Sequence, residues 1–162
     1  MKKEYKIYWY CIIVLFYGYL LVSCTSFKTQ YTDEYIYAEL EVEDSDYVIL
    51  YFKNNTESII RIISDNCFYS NNGYSSILLP LDERFMVAGT TVPPINIPPN
   101  KYLSQKFVAS SAIEYDKGKV NNINNWTPRD ENKIKDAYFS FEYEINKVTK
   151  QLVFEGNNFT KR

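Results

Sequence analysis

Histidine is absent from all 162 residues. That absence removes the imidazole base from serine and cysteine nucleophile chemistry, and with it the commonest zinc ligand. Cysteine is scarce, with only Cys11, Cys24 and Cys67. A basic surplus is missing too: 18 Lys and Arg stand against 20 Asp and Glu. Nucleic-acid binders carry basic patches, so the balance excludes nucleic acid as the expected partner. No Asp-x-Asp-x-Asp-Gly loop is present, which removes the calcium-loop pattern. No repeat at a fixed period is visible, and one long uncharged run stands out, at the start.

That run decides how the rest is read. Lys2, Lys3 and Lys6 give a positive start, diluted only by Glu4, and Ile7–Val22 holds no charge. Ser23 is small and directly precedes Cys24. Basic start, apolar middle and small residue make a secretory leader. The competing reading is an uncleaved anchor helix, but the uncharged span is shorter than the roughly 20 apolar residues a membrane-spanning helix prefers. Either way the remainder lies outside the cytoplasm.

The tetrapeptide Leu21-Val22-Ser23-Cys24 resembles the lipobox of bacterial lipoproteins. The resemblance implies cleavage between Ser23 and Cys24, a diacylglycerol on the Cys24 sulfur and a palmitate-type chain on the new amino group. Cysteine suits the task because its thiolate is a good nucleophile. Two or three acyl chains then hold a protein firmly at a bilayer, at about 0.8 kcal/mol per buried methylene. Thr25 follows where an aspartate marks inner-membrane retention in some Gram-negative bacteria. By that analogy the address is the cell envelope, at the outer membrane.

Cleavage leaves 139 residues, one domain's worth, with 15 basic and 19 acidic side chains once Lys2, Lys3, Lys6 and Glu4 are gone. Cys11 leaves with the leader. With Cys24 acylated, Cys67 has no disulfide partner, so the fold must stand on its core. Beside Phe68 and with no base at hand, Cys67 reads as a small buried hydrophobe.

Residues 25–33 are polar and read as a flexible tether reaching about 30 Å. From Tyr35 short apolar runs are broken by turn residues. Residues 35–43 alternate, with Glu39, Glu41 and Glu43 opposite Ala38, Leu40 and Val42, as a half-buried strand does. Residues 47–52, 58–63, 75–79, 101–109, 137–145 and 148–155 read as further strands, with turns at 54–56, 71–73 and 146–147. Residues 84–87 suit a short strand or loop. Pro93, Pro94, Pro98 and Pro99 send residues 91–100 across an edge or over one end. Residues 110–136 are the least regular, with Thr127-Pro128 placed to start a short helix over 129–135. About seven strands predict an all-β, antiparallel, immunoglobulin-like sandwich over residues 34–162. Its inner faces take Leu40, Val42, Val48, Leu50, Ile60, Ile62, Phe107, Phe139, Phe141, Leu152 and Phe154.

Several pieces of this part are similar to small, uncharacterised bacterial lipoproteins with a β-sandwich. These are Asn54-Asn55-Thr56 before an isoleucine-rich strand, Asp65…Phe68…Gly73-x-Ser75, Arg84, the Ile97–Lys101 corner, Trp126 and the final hairpin. The resemblance spans residues 47–156 and implies fold and location, with no activity. Bacterial proteinase inhibitors share the layout, which is fold-level analogy.

Asp44/Asp46, Asp82/Glu83, Glu114/Asp116 and Asp130/Glu131 are paired carboxylates, and polar turns need such residues anyway. No residue is assigned a catalytic role, and no metal or cofactor is called for. Tyrosine is abundant, at 16 residues. Exposed Tyr and Trp suit binding faces, while tyrosine is also an ordinary strand residue. Trp126 sits among asparagines, as a ring facing a ligand or a plug over an open end. Trp126, Tyr69 and Tyr74 are the candidate binding residues. The sequence predicts a non-enzymatic envelope lipoprotein, tethered to the bilayer through Cys24, that displays an interaction or structural module for an envelope protein or a glycan. The alternatives are an inhibitor-like loop at Thr91–Asn100 and a carboxylate acid–base enzyme.

Overall fold

The computed structural model describes residues 26–42, 46–81, 92–128 and 130–161. The leader, Ser23, Cys24 and residues 84–87 lie outside the described residues. Within them the chain is an all-β antiparallel sandwich.

The front sheet holds β1 (Phe27–Thr32), β2 (Ile36–Val42), β3 (Val48–Asn54), β8 (Tyr102–Ala109) and the second half of β6 (Tyr74–Pro80). A two-residue strand, β13 (Thr160–Lys161), closes its outer edge against β1. The back sheet is built on β11 (Ala137–Ile145), which pairs with β12 (Val148–Glu155) along one side. Along the other side it pairs with β4 (Ile60–Ile62) and β5 (Phe68–Asn71), placed end to end. β7 (Ile95–Ile97) borders β4, and the first half of β6 borders β5. β6 therefore turns the corner between sheets, with Tyr74–Ile77 on β5 and Leu78–Pro80 on β8. A separate hairpin, β9 (Ile113–Asp116) and β10 (Lys119–Ile123), and a one-turn helix, α1 (Glu131–Lys135), complete the described elements.

Alternation sets which residues meet between the sheets. Phe52 of β3 packs edge-on against Tyr143 at 5.7 Å between ring centres, and Phe107 of β8 against Phe141 at 5.2 Å. Both β11 rings are in the core, and every inner-face residue expected from the sequence is buried there.

Among the described residues thirteen strands are present where about seven were expected, and the reasons are local. A 3-10 turn at Ser64–Asn66 breaks one strand into β4 and β5. The prolines reduce residues 93–99 to the short edge strand β7, where missing N–H donors cost no central pairing. The tether expected over 24–33 is corrected: β1 occupies most of it, paired with β2 from Phe27↔Val42 to Thr32↔Tyr37. Phe27 and Thr29 are buried, Lys28 meets carboxylates on β2, and the Asp33 side chain accepts the Tyr35 and Ile36 N–H groups at 2.8 Å to turn the chain. The helix start is corrected as well. Asp130, not the Thr127-Pro128 pair, caps α1 by accepting from the N–H groups of Asn132 (3.0 Å) and Lys133 (2.9 Å). Residues 113–123, expected to be irregular, form a hairpin around Lys117 and Gly118, both at positive φ.

The register gives the sandwich two distinct ends. Phe27, Val42, Val48 and Phe107 form one cross-strand row at the first. That end also carries the approach to β3 at Asp46, the Asn72–Gly73 turn, the β9–β10 hairpin, α1 and the Gly156–Asn158 turn. Gly156 lies so close under α1 that a Cβ there would enter the Ile134 carbonyl oxygen. The second end carries the turns near Asp33, Asn55, Asn100 and Asn146–Lys147.

Candidate functional site

Tyr69, Tyr74 and Trp126 arrive from three separate places in the chain. β5 brings Tyr69 inward. The Asn72–Gly73 turn, with both residues at positive φ, reverses the chain and opposes Asn71 to Tyr74 at the start of β6. The inward Tyr69 is buried and Tyr74 is exposed. Trp126 follows β10 and returns to the sandwich, where its indole N–H donates to the Asp46 carbonyl at 2.8 Å. Its ring meets Tyr69 edge-on at 4.8 Å.

These three rings line one hollow of about 250 Å³ with Ser111, Ala112, Asn124 and Asn125. Among the described residues no charged side chain lines it. The polar groups are held from behind. Asn124 donates to Glu114 Oε1 at 2.7 Å and accepts from Asn122 at 3.3 Å. Ser111 donates through both its N–H (3.2 Å) and its hydroxyl (3.0 Å) to the buried Ser76 hydroxyl. Burial raises the Tyr69 phenol above its ordinary value, and Asn71 donates to its oxygen at 3.0 Å. Tyr69 is thus a neutral ring at any physiological pH. Trp126 is both of the things the sequence allowed. It closes the end of the sandwich, packing against both apolar clusters, and it forms one wall of the hollow.

Sequence reasoning found the rings and missed the amides and the serine. The asparagine run at 121–125 was the available signal. What hid it was the hairpin β9–β10, which folds that run back beside β5.

A second hollow of about 260 Å³ lies at the same end, lined by Phe27, Glu131, Ile134, Lys135, Phe159 and Lys161 among others. Rings connect the two: Tyr69 to Phe139 at 5.0 Å, and Phe139 to Phe159 at 5.9 Å.

The remaining candidates are dispersed. Glu114 and Asp116 are exposed along β9, Asp130 spends its carboxylate on the helix cap, and Glu131 faces Lys161 at 3.3 Å. Asp44, Asp82 and Glu83 lie outside the described residues. Among the described residues no group of three His, Cys, Asp or Glu side chains converges to hold a metal. Cys67 is buried, its thiol donating to the Ile63 carbonyl at 3.4 Å. The other tyrosines scatter: Tyr143 is in the core, while Tyr47 and Tyr35 lie under the ammonium groups of Lys106 and Lys150 at 4.0 and 3.5 Å. In the proline segment, Ile95–Ile97 is paired to β4 and Val92 and Ile97 are buried. Thr91 lies outside the described residues.

Fold and hollow define a class: an antiparallel β-sandwich with an aromatic, amide-rimmed depression at one end. Comparison with protein-family models, with curated proteins and with solved structures finds no match to this chain. No helix among the described residues is long and apolar enough to cross a membrane.

Proposed function

We propose that this protein is a lipid-anchored lipoprotein of the bacterial cell envelope whose sandwich is a non-enzymatic binding module. The anchor is acylated Cys24, read from Leu21-Val22-Ser23-Cys24 after an uncharged run. The observation that carries the module is the convergence of Tyr69, Tyr74 and Trp126 on one hollow with Asn124, Asn125 and Ser111. Aromatic faces cover the apolar face of a ring, and amides and hydroxyls exchange hydrogen bonds with its rim. With no charge among the described lining residues, the fitting ligand is an uncharged, hydroxylated ring, a sugar above all. At about 250 Å³ the hollow falls below the ~300–1,000 Å³ of sites for drug-sized ligands, so it takes one ring of a larger ligand. The inhibitor-like alternative gains no support, because the centre of its loop is occupied with sheet pairing.

The anchor is tested by mass spectrometry of the mature N-terminus. It should begin at Cys24 with a diacylglycerol, and a chain that keeps Met1 refutes it. The module is tested by titrating immobilised glycans with the wild type and Tyr74→Ala. Binding lost in the variant supports the reading, and no glycan bound across a broad array refutes it.

A further inference from the structure

We infer that the hollow at Tyr69, Tyr74 and Trp126 faces the membrane that holds the protein, and that its ligand is the sugar headgroup of a lipid in that membrane. The inference rests on the lipid anchor proposed above and adds orientation and partner to it.

The argument is one of length and register. The first described strand, β1, starts at Phe27, three residues after Cys24. Three residues span at most roughly 10 Å, in place of the 30 Å a free tether through Asp33 would allow. The Phe27 end of the sandwich is therefore held within one headgroup layer of the bilayer. Phe27 shares its row with Val42 and Val48, and Trp126 is bonded to Asp46, which leads into Val48. The anchor and the hollow are at the same end. Tyr102 lies on β8 opposite Lys53, at the far end, and is 74% exposed.

The exposed Tyr74 and the partly buried Trp126 beside a bilayer would occupy the depth where these side chain types concentrate. Charges of both signs flank the hollow's end: Lys135, Glu131 and Lys161 line the neighbouring depression, the last two paired at 3.3 Å, and Glu114, Asp116, Lys117 and Lys119 lie along the β9–β10 hairpin. A soluble glycan would have to enter between protein and membrane, whereas a glycolipid presents its ring there already.

The mature chain offers its own probe, since Trp9 leaves with the leader and Trp126 is the tryptophan that remains. Full-length acylated protein is reconstituted in phosphatidylethanolamine–phosphatidylglycerol vesicles carrying a headgroup nitroxide. Trp126 emission should be strongly quenched. In Tyr102→Trp, which retains Trp126, the added emission should escape quenching and lower the quenched fraction. A Trp126→Phe/Tyr102→Trp form should be unquenched, but the single variant suffices if the double one does not fold. Protein that does not float with vesicles overturns the anchor. Protein that floats with position 102 quenched as much as Trp126 overturns the orientation while leaving the anchor intact. For the ligand, vesicles with a monogalactosyl diacylglycerol are compared with sugar-free vesicles and with free methyl galactoside. Trp126 emission should shift only with the glycolipid, and Tyr74→Ala should weaken that response roughly tenfold. An equal response to the free glycoside at matched sugar concentration, or none to the glycolipid, overturns the headgroup assignment.

Discussion

Trp126 stands edge-on to Tyr69, ring centres 4.8 Å apart and planes at 70°, and the two side chains carry different loads. Tyr69 is inside, packed at a tilt against Phe139. Trp126 covers that ring pair and forms one wall of the hollow. Trp126→Ala should destabilise by about 2–3 kcal/mol, at the low end of the ~3–5 of a fully buried ring because Trp126 is only partly buried. Trp126→Phe should cost about 1 kcal/mol, the bond to the Asp46 carbonyl. Tyr74→Ala should leave stability within about 0.5 kcal/mol, since Tyr74 is 52% exposed. Urea unfolding of the three variants checks this, and a strongly destabilised Tyr74→Ala would place that ring in the fold rather than the site.

The core was legible in the sequence because period-2 alternation is a strong signal. Phe139, Phe141 and Tyr143 alternate with Ser140, Glu142 and Glu144, and the first three are buried. The Asn-Gly turn at 72–73 was equally legible, since both residues tolerate positive φ. The hairpin at 117–118 was not, because Lys117 at φ 49 departs from the usual turn vocabulary. β1 was hidden for another reason. Its residues Phe27 to Thr32 look polar, and what makes them a strand is long-range: Lys28 is neutralised by β2, and β13 returns from the chain end to cover Phe27. The rings of the site could be named singly, but only the pairing of β5 with β11 and the return of residues 124–126 bring them together.

Lys28 sits between Glu39 (3.0 Å) and Glu41 (2.9 Å), with all three side chains at most 15% exposed. Burial pulls the Lys28 pKa down, but hydrogen bonds with Glu41 and Glu39 outweigh it and hold the ammonium above its ordinary 10.5. Burial likewise pushes Glu39 up, and hydrogen bonds from Lys28 and Gln30 overcome it, leaving Glu39 below 4.5. The lysine's contribution is whole below pH 10.5 and lost as pH climbs through its raised pKa. The glutamate's is whole above pH 4.5 and lost as pH falls through its lowered one. Stability should therefore plateau between these limits. Lys28→Met leaves two carboxylates facing each other without a cation and should cost about 2–3 kcal/mol, the cost of breaking a covered pair after discounting for residual water. Thermal melts from pH 3 to 9 should show the variant gaining relative stability toward acid.

Asn54 is fully buried at the far end and closes it with one amide. Its Nδ2 donates to the Ser58 carbonyl at 2.7 Å, with the Ile97 and Pro98 carbonyls at 3.0 and 3.1 Å. Its Oδ1 accepts from the Thr56 N–H and hydroxyl at 2.9 and 2.8 Å. Asn54→Ala orphans these groups and should cost about 2–3 kcal/mol, each unsatisfied buried group accounting for ~1–3. Asn54→Asp keeps the acceptor but loses the donor, and should destabilise at least as much at neutral pH. Because this end is remote from the hollow, ligand affinity of the folded fraction should stay unchanged. A loss of affinity in Asn54→Ala would show that the two ends are coupled.

Burial pushes the Cys67 thiol up to about 12, with the nearby charges of Glu142 and Asp65 adding to the shift. At pH 8 only about one thiol in ten thousand is then ionised, and the thiolate is the reactive form. In a chain beginning at Thr25, Cys67 is the remaining cysteine, so a thiol-reactive disulfide reagent reads it alone. Native protein at pH 8 should resist labelling for hours and react fully in denaturant. The native rate should rise in proportion to the unfolded population when Trp126→Ala is introduced. Cys67 bonds to the Ile63 carbonyl beside the Ser64–Asn66 turn, so the same assay reports opening of the break between β4 and β5. Labelling of native protein within seconds, at a rate indifferent to Trp126→Ala, would mean that this break opens independently of the rest of the sandwich.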